Sequence, residues 1–168
     1  MNRADFFIVP ETVFSAGAHP TLSSTPFIQD DFVTVVSKEH PLASNKNPSR
    51  EELLAEDYIT YYPAMVPVDN NLLNTLSGKS PQGHKPVMQI QQFSLLPVVA
   101  IETGCAAILP RKIARYMQRY MPIAIVEEGP LPILLNLSLA WHNSKDRDPA
   151  HQWLKALLME HCSQPRDD

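Results

Sequence analysis

Apolar residues along the chain come in short runs, some with the two-residue period of strands and some with the three-to-four-residue period of helices. Residues 5–9, Asp-Phe-Phe-Ile-Val, read as a core strand that Pro10 ends. Residues 10–24 carry Gly17, Pro20 and three serines and read as loop. Residues 25–37 form a long β-branched strand interrupted by Gln29-Asp30-Asp31. Ser49-Arg50-Glu51-Glu52 is a capping-box signature and predicts a short helix through Ala55. Residues 57–62, rich in Tyr, Ile and Thr, predict another strand, followed by a loop over 63–67. Asp69 then caps a helix carrying Leu72, Leu73 and Leu76 and ended by Gly78, residues 80–83 turn, and 85–90 lead on as a strand.

The stretch 93–116 organises the rest. Ser94 is placed to be an N-cap, Pro97 falls in the first turn where its missing N–H removes no helical bond, and Leu95, Leu96, Val98, Val99 and Ile101 give a wide apolar face. Gly104 stands where a residue past the helix end goes left-handed. Residues 105–109 form an unbroken apolar run of strand length, which suits a strand covered on both faces, as in a parallel sheet. Pro110 opens a second helix with Arg111 and Lys112 in its first turn. After it come an apolar stretch at 122–126, a Glu127-Glu128-Gly129-Pro130 turn and a second long strand over 131–141. Asp148 caps a final helix whose first residue is Pro149, with Ala150, Trp153, Leu154, Leu157, Leu158 and His161 at amphipathic spacing.

Composition narrows the function. A 168-residue chain with 44% apolar and 19% charged residues is globular, of one domain or two small lobes. A net charge of −4 leaves no basic footprint for nucleic acid. The 16 prolines sit mostly at element boundaries, as many short α/β connections require. Apolar runs break well before the roughly 20 residues of a membrane helix, and residues 1–10 carry no signal-peptide pattern. Two distant cysteines, one of them in the expected buried strand, argue against a disulfide and for a reducing cytoplasm.

Catalytic patterns fare poorly. Gly78-Lys79-Ser80 imitates the end of a phosphate-binding loop, but Leu73 occupies the first glycine's place and Pro81 stands where the helix should start. Six histidines show no metal-ligand spacing, neither cysteine has a C-x-x-C partner, and no nucleophile elbow is present. The adjacent pairs Glu51-Glu52, Glu127-Glu128 and Asp167-Asp168 point apart and read as solvated charge. No cofactor and no enzymatic activity are expected. Binding fits better. In a two-lobed α/β protein the ligand sits at the C-terminal ends of strands, against helix N-termini. The loop 60–67 and the helix start Gln92-Phe93-Ser94 are such places. Tyr61, Tyr62, Phe93 and Met65 could wall an aromatic or other hydrophobic ligand, and the helix start with the Ser94 hydroxyl could take a carboxylate or phenolate.

A helix ending in Thr103-Gly104, a short apolar strand, then Leu109-Pro110-Arg111-Lys112 and Ile113-Ala114 resembles the effector-binding domain of LysR-type transcriptional regulators. The segments 30–36, Glu39-His40-Pro41-Leu42, 135–142 and 148–154 fit the same family in order, so the likeness runs from Ala4 to about His161. It implies an α/β, periplasmic-binding-protein-like (type 2) two-lobe fold with two crossover strands and with lobe I incomplete at its N-terminus. Residues 1–28 and 137–163 would be partial lobe I, 32–132 lobe II and 164–168 a tail, with no DNA-binding domain in the chain. Family pockets map onto Val9 and Pro10, onto Ala64, Met65, Val66 and Pro67, and onto Phe93 and Ser94, in an interlobe cleft. The partners implied are a small-molecule effector, a second copy in a homodimer or higher oligomer, and DNA only through a helix-turn-helix domain that this chain does not carry. An extracytoplasmic solute-binding protein fragment is the alternative.

Overall fold

The computed structural model describes residues 4–11, 20–45, 48–61, 86–126 and 134–162. These divide into two compact units, one from residues 1–30 and 135–168, the other from residues 31–134. The expected helix after Asp69, the 80–83 turn, the phosphate-loop imitation at 78–80 and the Glu127–Glu128 turn lie outside the described residues.

The second unit is built on one buried strand. β2 (Leu22–Ser37) enters it at Asp31 and pairs antiparallel on both sides, so that Val35 faces Ala107 of β5 (Ala106–Pro110) on one edge and Ile125 of β6 (Ile123–Val126) on the other. β5 then runs parallel to β3 (Tyr58–Tyr61), and β3 parallel to β4 (Met88–Ile90). The apolar run at 105–109 has the expected cause: both of its faces are covered. Val33, Val35, Ile59, Ala107, Leu109 and Ile123 meet Leu96 and Ala100 of α2 (Leu96–Thr103) and Ala114 of α3 (Arg111–Gln118). On the other face Val36, Ala106 and Val126 meet Leu42, with Leu53 of α1 (Arg50–Ala55) packed against them.

Local signals set the element ends. Ser49 Oγ accepts the Glu52 N–H at 3.2 Å while the Glu52 carboxylate accepts the Ser49 N–H at 2.7 Å, the reciprocal box expected from the sequence. Gly104 closes α2 at φ +72°, donating its N–H to the Ala100 carbonyl at 3.0 Å. Ser94, in contrast, caps nothing. It lies inside a 3-10 turn over Phe93–Leu95 that begins at Gln92 and runs directly into α2, and Pro97 follows in the first α-helical turn. The buried face of α2 is Leu96, Pro97 and Ala100, whereas Leu95 and Val98 are exposed.

An ion pair closes the sheet where β5 becomes α3. Arg111 donates from Nε and Nη2 to the two Asp31 carboxylate oxygens, both at 2.7 Å, and both side chains are largely covered. The bidentate Arg111 guanidinium holds the Asp31 carboxyl below its ordinary range, with Arg115 adding to the pull.

In the first unit, β1 (Phe7–Pro10) pairs antiparallel with β7 (Leu134–His142), and β7 also borders β2. Asp146 gathers this unit: it accepts the Trp141 indole N–H at 2.6 Å and the Ser23 hydroxyl at 3.1 Å, and these bonds lower its pKa. The final helix, α4 (Pro149–Cys162), starts as expected, with Asp148 accepting the N–H groups of Ala150 and His151. Its orientation differs from the expectation. The apolar stripe is turned outward, with Trp153 66% exposed, and the helix buries His151 instead. The His151 ring stacks on Phe6 at 3.9 Å and its Nε2 donates to the Asp5 carbonyl at 3.3 Å, while the Lys155 ammonium lies 4.6 Å over Trp141. Aromatic partners on the strand side, not apolar periodicity, choose the inner face.

Two outcomes follow. Ser49→Ala removes one partner of the capping box and lowers unfolding stability by about 1 kcal/mol, read from the urea midpoint. Asp31 has a depressed folded pKa, so its stabilising contribution is present above the unfolded carboxyl value of about 3.9 and is lost as pH falls through the lower folded value. Asp31→Asn therefore costs about 1 kcal/mol or less at neutral pH, because the pair is partly solvated, and it weakens the acid dependence of the urea midpoint.

Candidate functional site

Three parallel strands, β5, β3 and β4, end on the same side of the second unit, and the side chains past those ends form the candidate site. Tyr61 is the last residue of β3 and pairs in register with Ile90, the last residue of β4. From Ile90 the chain needs only Gln91 and Gln92 before Phe93 opens the next turn. That short connection brings the Phe93 ring onto the Tyr61 ring, with centroids 4.0 Å apart and planes 18° from parallel. Both rings are half-buried and rest on the apolar cluster beneath α2, which fixes their positions.

Beside this pair the helix start presents Gln92, Ser94 and Leu95, all exposed. The Leu95 N–H is satisfied by the Gln92 carbonyl at 3.2 Å, and the Gln92 side chain makes no capping bond. The Leu96 N–H is likewise taken by the Phe93 carbonyl and Pro97 has no N–H, so what this helix start offers an anion is the positive end of the helix dipole. Thr60, next to Tyr61 in β3, is 5% exposed, and strand alternation turns its side chain to the other face of the sheet.

Of the residues expected at the site, Tyr61, Phe93 and Ser94 are thus together in one unit. Val9 and Pro10 lie in β1 of the first unit, in register with Ser138 and Leu137. Tyr62, Ala64, Met65, Val66 and Pro67 lie outside the described residues. Sequence reasoning missed the third strand end. Pro110 closes β5 and the next residue, Arg111, carries the ion pair to Asp31, a partner 80 positions away that no local pattern could announce. Among the described residues no group of three or more His, Cys, Asp or Glu side chains is placed to hold a metal ion. Also among them, Cys105 and Cys162 are both free thiols. The chemistry available is reversible binding: a flat aromatic platform with a polar, electropositive border.

Known proteins agree with this architecture. Nodulation protein D 1 of Bradyrhizobium elkanii is 29% identical over 165 residues, covering 96% of this chain and 50% of that protein. The HTH-type transcriptional regulator LeuO of Escherichia coli is 27% identical over 148 residues, covering 85% of this chain and 44% of LeuO. The chain therefore spans about half the length of the curated relatives it matches. Among solved structures, a transcriptional regulator of Vibrio parahaemolyticus superposes with a TM-score of 0.77 at 22% identity, over 95% of this chain and 70% of that one. The regulatory domain of CcmR from Synechocystis, in complex with 2-PG, superposes with a TM-score of 0.74 at 16% identity, over 98% of this chain and 76% of that one. These likenesses show the fold, the two-lobe type 2 periplasmic-binding-protein-like architecture expected from the sequence. The LysR substrate binding domain family matches residues 1–163, and the chain belongs to that family.

Proposed function

We propose that this chain is the effector-sensing domain of a LysR-type transcriptional regulator, and that its effector is a small molecule with a flat apolar group and an anionic group. The Tyr61–Phe93 stack at the C-terminal ends of parallel strands is the observation that carries this reading. The ring pair takes the flat group; the N–H groups and hydroxyl around Phe93 and Ser94 take the carboxylate or phenolate. Support comes from the family match, from relatives that are transcriptional regulators, and from a regulatory domain of the same fold in complex with 2-PG.

The chain binds its effector without transforming it. It works in the cytoplasm, and it reaches DNA through a helix-turn-helix domain elsewhere in the regulator. Among the described residues no helix is long and apolar enough to cross a membrane. The solute-binding alternative shares the fold, but the regulator relatives favour sensing over transport.

A panel of aromatic carboxylates, aliphatic carboxylates and neutral aromatics, screened by thermal shift and quantified by calorimetry, tests the site. An aromatic carboxylate is expected to raise the melting temperature saturably. Tyr61→Ala and Phe93→Ala are each expected to weaken that binding about tenfold, the worth of one aromatic contact. No saturable shift from any compound, or unchanged affinity in both variants, overturns the assignment. The outward apolar stripe of α4, with Trp153, Leu154 and Leu157 exposed, also favours self-association. Light scattering is expected to give a dimer or larger species, and a monomer at high concentration contradicts it.

A further inference from the structure

Helices of opposite charge cover the two faces of the sheet in the second unit. On one face lies α3, within a stretch from Thr103 to Val126 that holds Arg111, Lys112, Arg115 and Arg119 and no Asp or Glu. Arg111 turns to Asp31, while Lys112, Arg115 and Arg119 are exposed. On the other face, α1 and the two residues after it carry Glu51, Glu52, Glu56 and Asp57 against one cation, Arg50. Glu56 meets His40 at 3.3 Å, and Glu51, Glu52 and Asp57 are exposed. Apolar residues hold each helix to its own face, Ala114 of α3 in one cluster and Leu53 of α1 against the other. The separation of charge is therefore a property of the packed fold. The α3 face carries aromatic surface as well. Tyr116 and Tyr120 are 61% and 72% exposed, and their ring centroids lie 5.3 Å apart with the planes tilted by 54°. Lys112, Arg115 and Arg119 share the helix face with Tyr116, at spacings of three, four and seven residues along it. Tyrosine and arginine are the residues that dominate protein interfaces, and two rings already held against each other lose little freedom when a partner covers them.

We propose that the α3 face docks on the α1 face of a second copy of this chain, with Arg115 and the Tyr116–Tyr120 pair of one copy against Glu51, Glu52 and Asp57 of the next. The carboxylates accept from the guanidinium groups and from the tyrosine hydroxyls. The two faces are the halves of one heterologous contact, and they lie on opposite sides of the same sheet. A copy that docks through α3 still offers its own α1 face, so the contact repeats from copy to copy instead of closing on a two-fold axis. Exposed charge pairs are individually weak and are screened by salt, so the assembly is reversible and strongest at low ionic strength. That separates it from association through the apolar stripe of α4, which charge screening does not weaken. It depends on the surface of the second unit alone and needs no bound effector.

Sedimentation velocity over a concentration series tests this in about 20 mM and about 500 mM NaCl, between which the screening length falls from roughly 20 Å to about 4 Å. The wild-type chain is expected to form larger species at the lower salt. An α3 variant, Arg115→Glu with Arg119→Glu, and an α1 variant, Glu51→Lys with Asp57→Lys, are each expected to weaken the low-salt association about tenfold. An equimolar mixture of the two is expected to recover it, because each reversed face then meets a face of opposite sign, and recovery also shows that both variants are folded. Tyr120→Ser, a change at a residue 72% exposed, is expected to weaken it in the same direction with the charges intact. The same species at both salts, unchanged association in both charge variants, or a mixture of folded variants that stays apart overturns the proposal. So does an α3 variant that loses binding to a random-sequence DNA duplex while its self-association is unaltered, which assigns the face to nucleic acid instead.

Discussion

Everything in the second unit depends on keeping β5 dry on both faces. An apolar strand of five residues has no side that tolerates water, so helices must cover it above and below, and the connections to those helices must be short. Gly104 makes the first connection possible by reversing the chain in the left-handed region, and Pro110 makes the second by ending the strand at the helix start. The parallel run of β5, β3 and β4 follows, and with it three strand ends that open on one side. The Tyr61–Phe93 platform follows from that arrangement, at the ends of β3 and β4, and Arg111, the residue after β5, reaches Asp31 of β2.

The legible parts of this fold are those whose causes lie within a few residues of their effects. The capping box at Ser49 and Glu52, the left-handed stop at Gly104 and the Asp148 cap before Pro149 are local hydrogen-bonding problems with local answers. The buried strand at 105–109 was legible because its length and unbroken apolarity leave few alternatives. Ser94 shows the limit of such reading. A serine before a proline-bearing first turn is a reasonable cap, but the chain enters α2 through a 3-10 turn begun by Gln92, which places the hydroxyl at the surface beside the rings instead.

Features decided by distant partners were not legible. The inner face of α4 is set by Phe6 and Trp141, which come from opposite ends of the chain, so His151 goes inside and the apolar stripe outside. Asp31 interrupts a β-branched run and looks like a simple break in it; only the fold reveals Arg111 across the sheet. The rings of Tyr61 and Phe93 could be named as walls of one pocket from their positions beside strand and helix ends, but their mutual stacking depends on the register of β3 with β4. The last two cases turn on strand registers, which set long-range contacts and leave little trace in sequence.

The account as a whole stands on the claim that small aromatic anions settle at the ends of the parallel strands. Ring-proton and amide chemical shifts, followed by NMR while an aromatic carboxylate is titrated into the labelled chain, address that claim most directly. The account predicts saturable shifts concentrated on the Tyr61 and Phe93 rings and the Ser94 amide, with little change in the far helix α1. Shifts that leave those three residues unmoved while clustering elsewhere would contradict it.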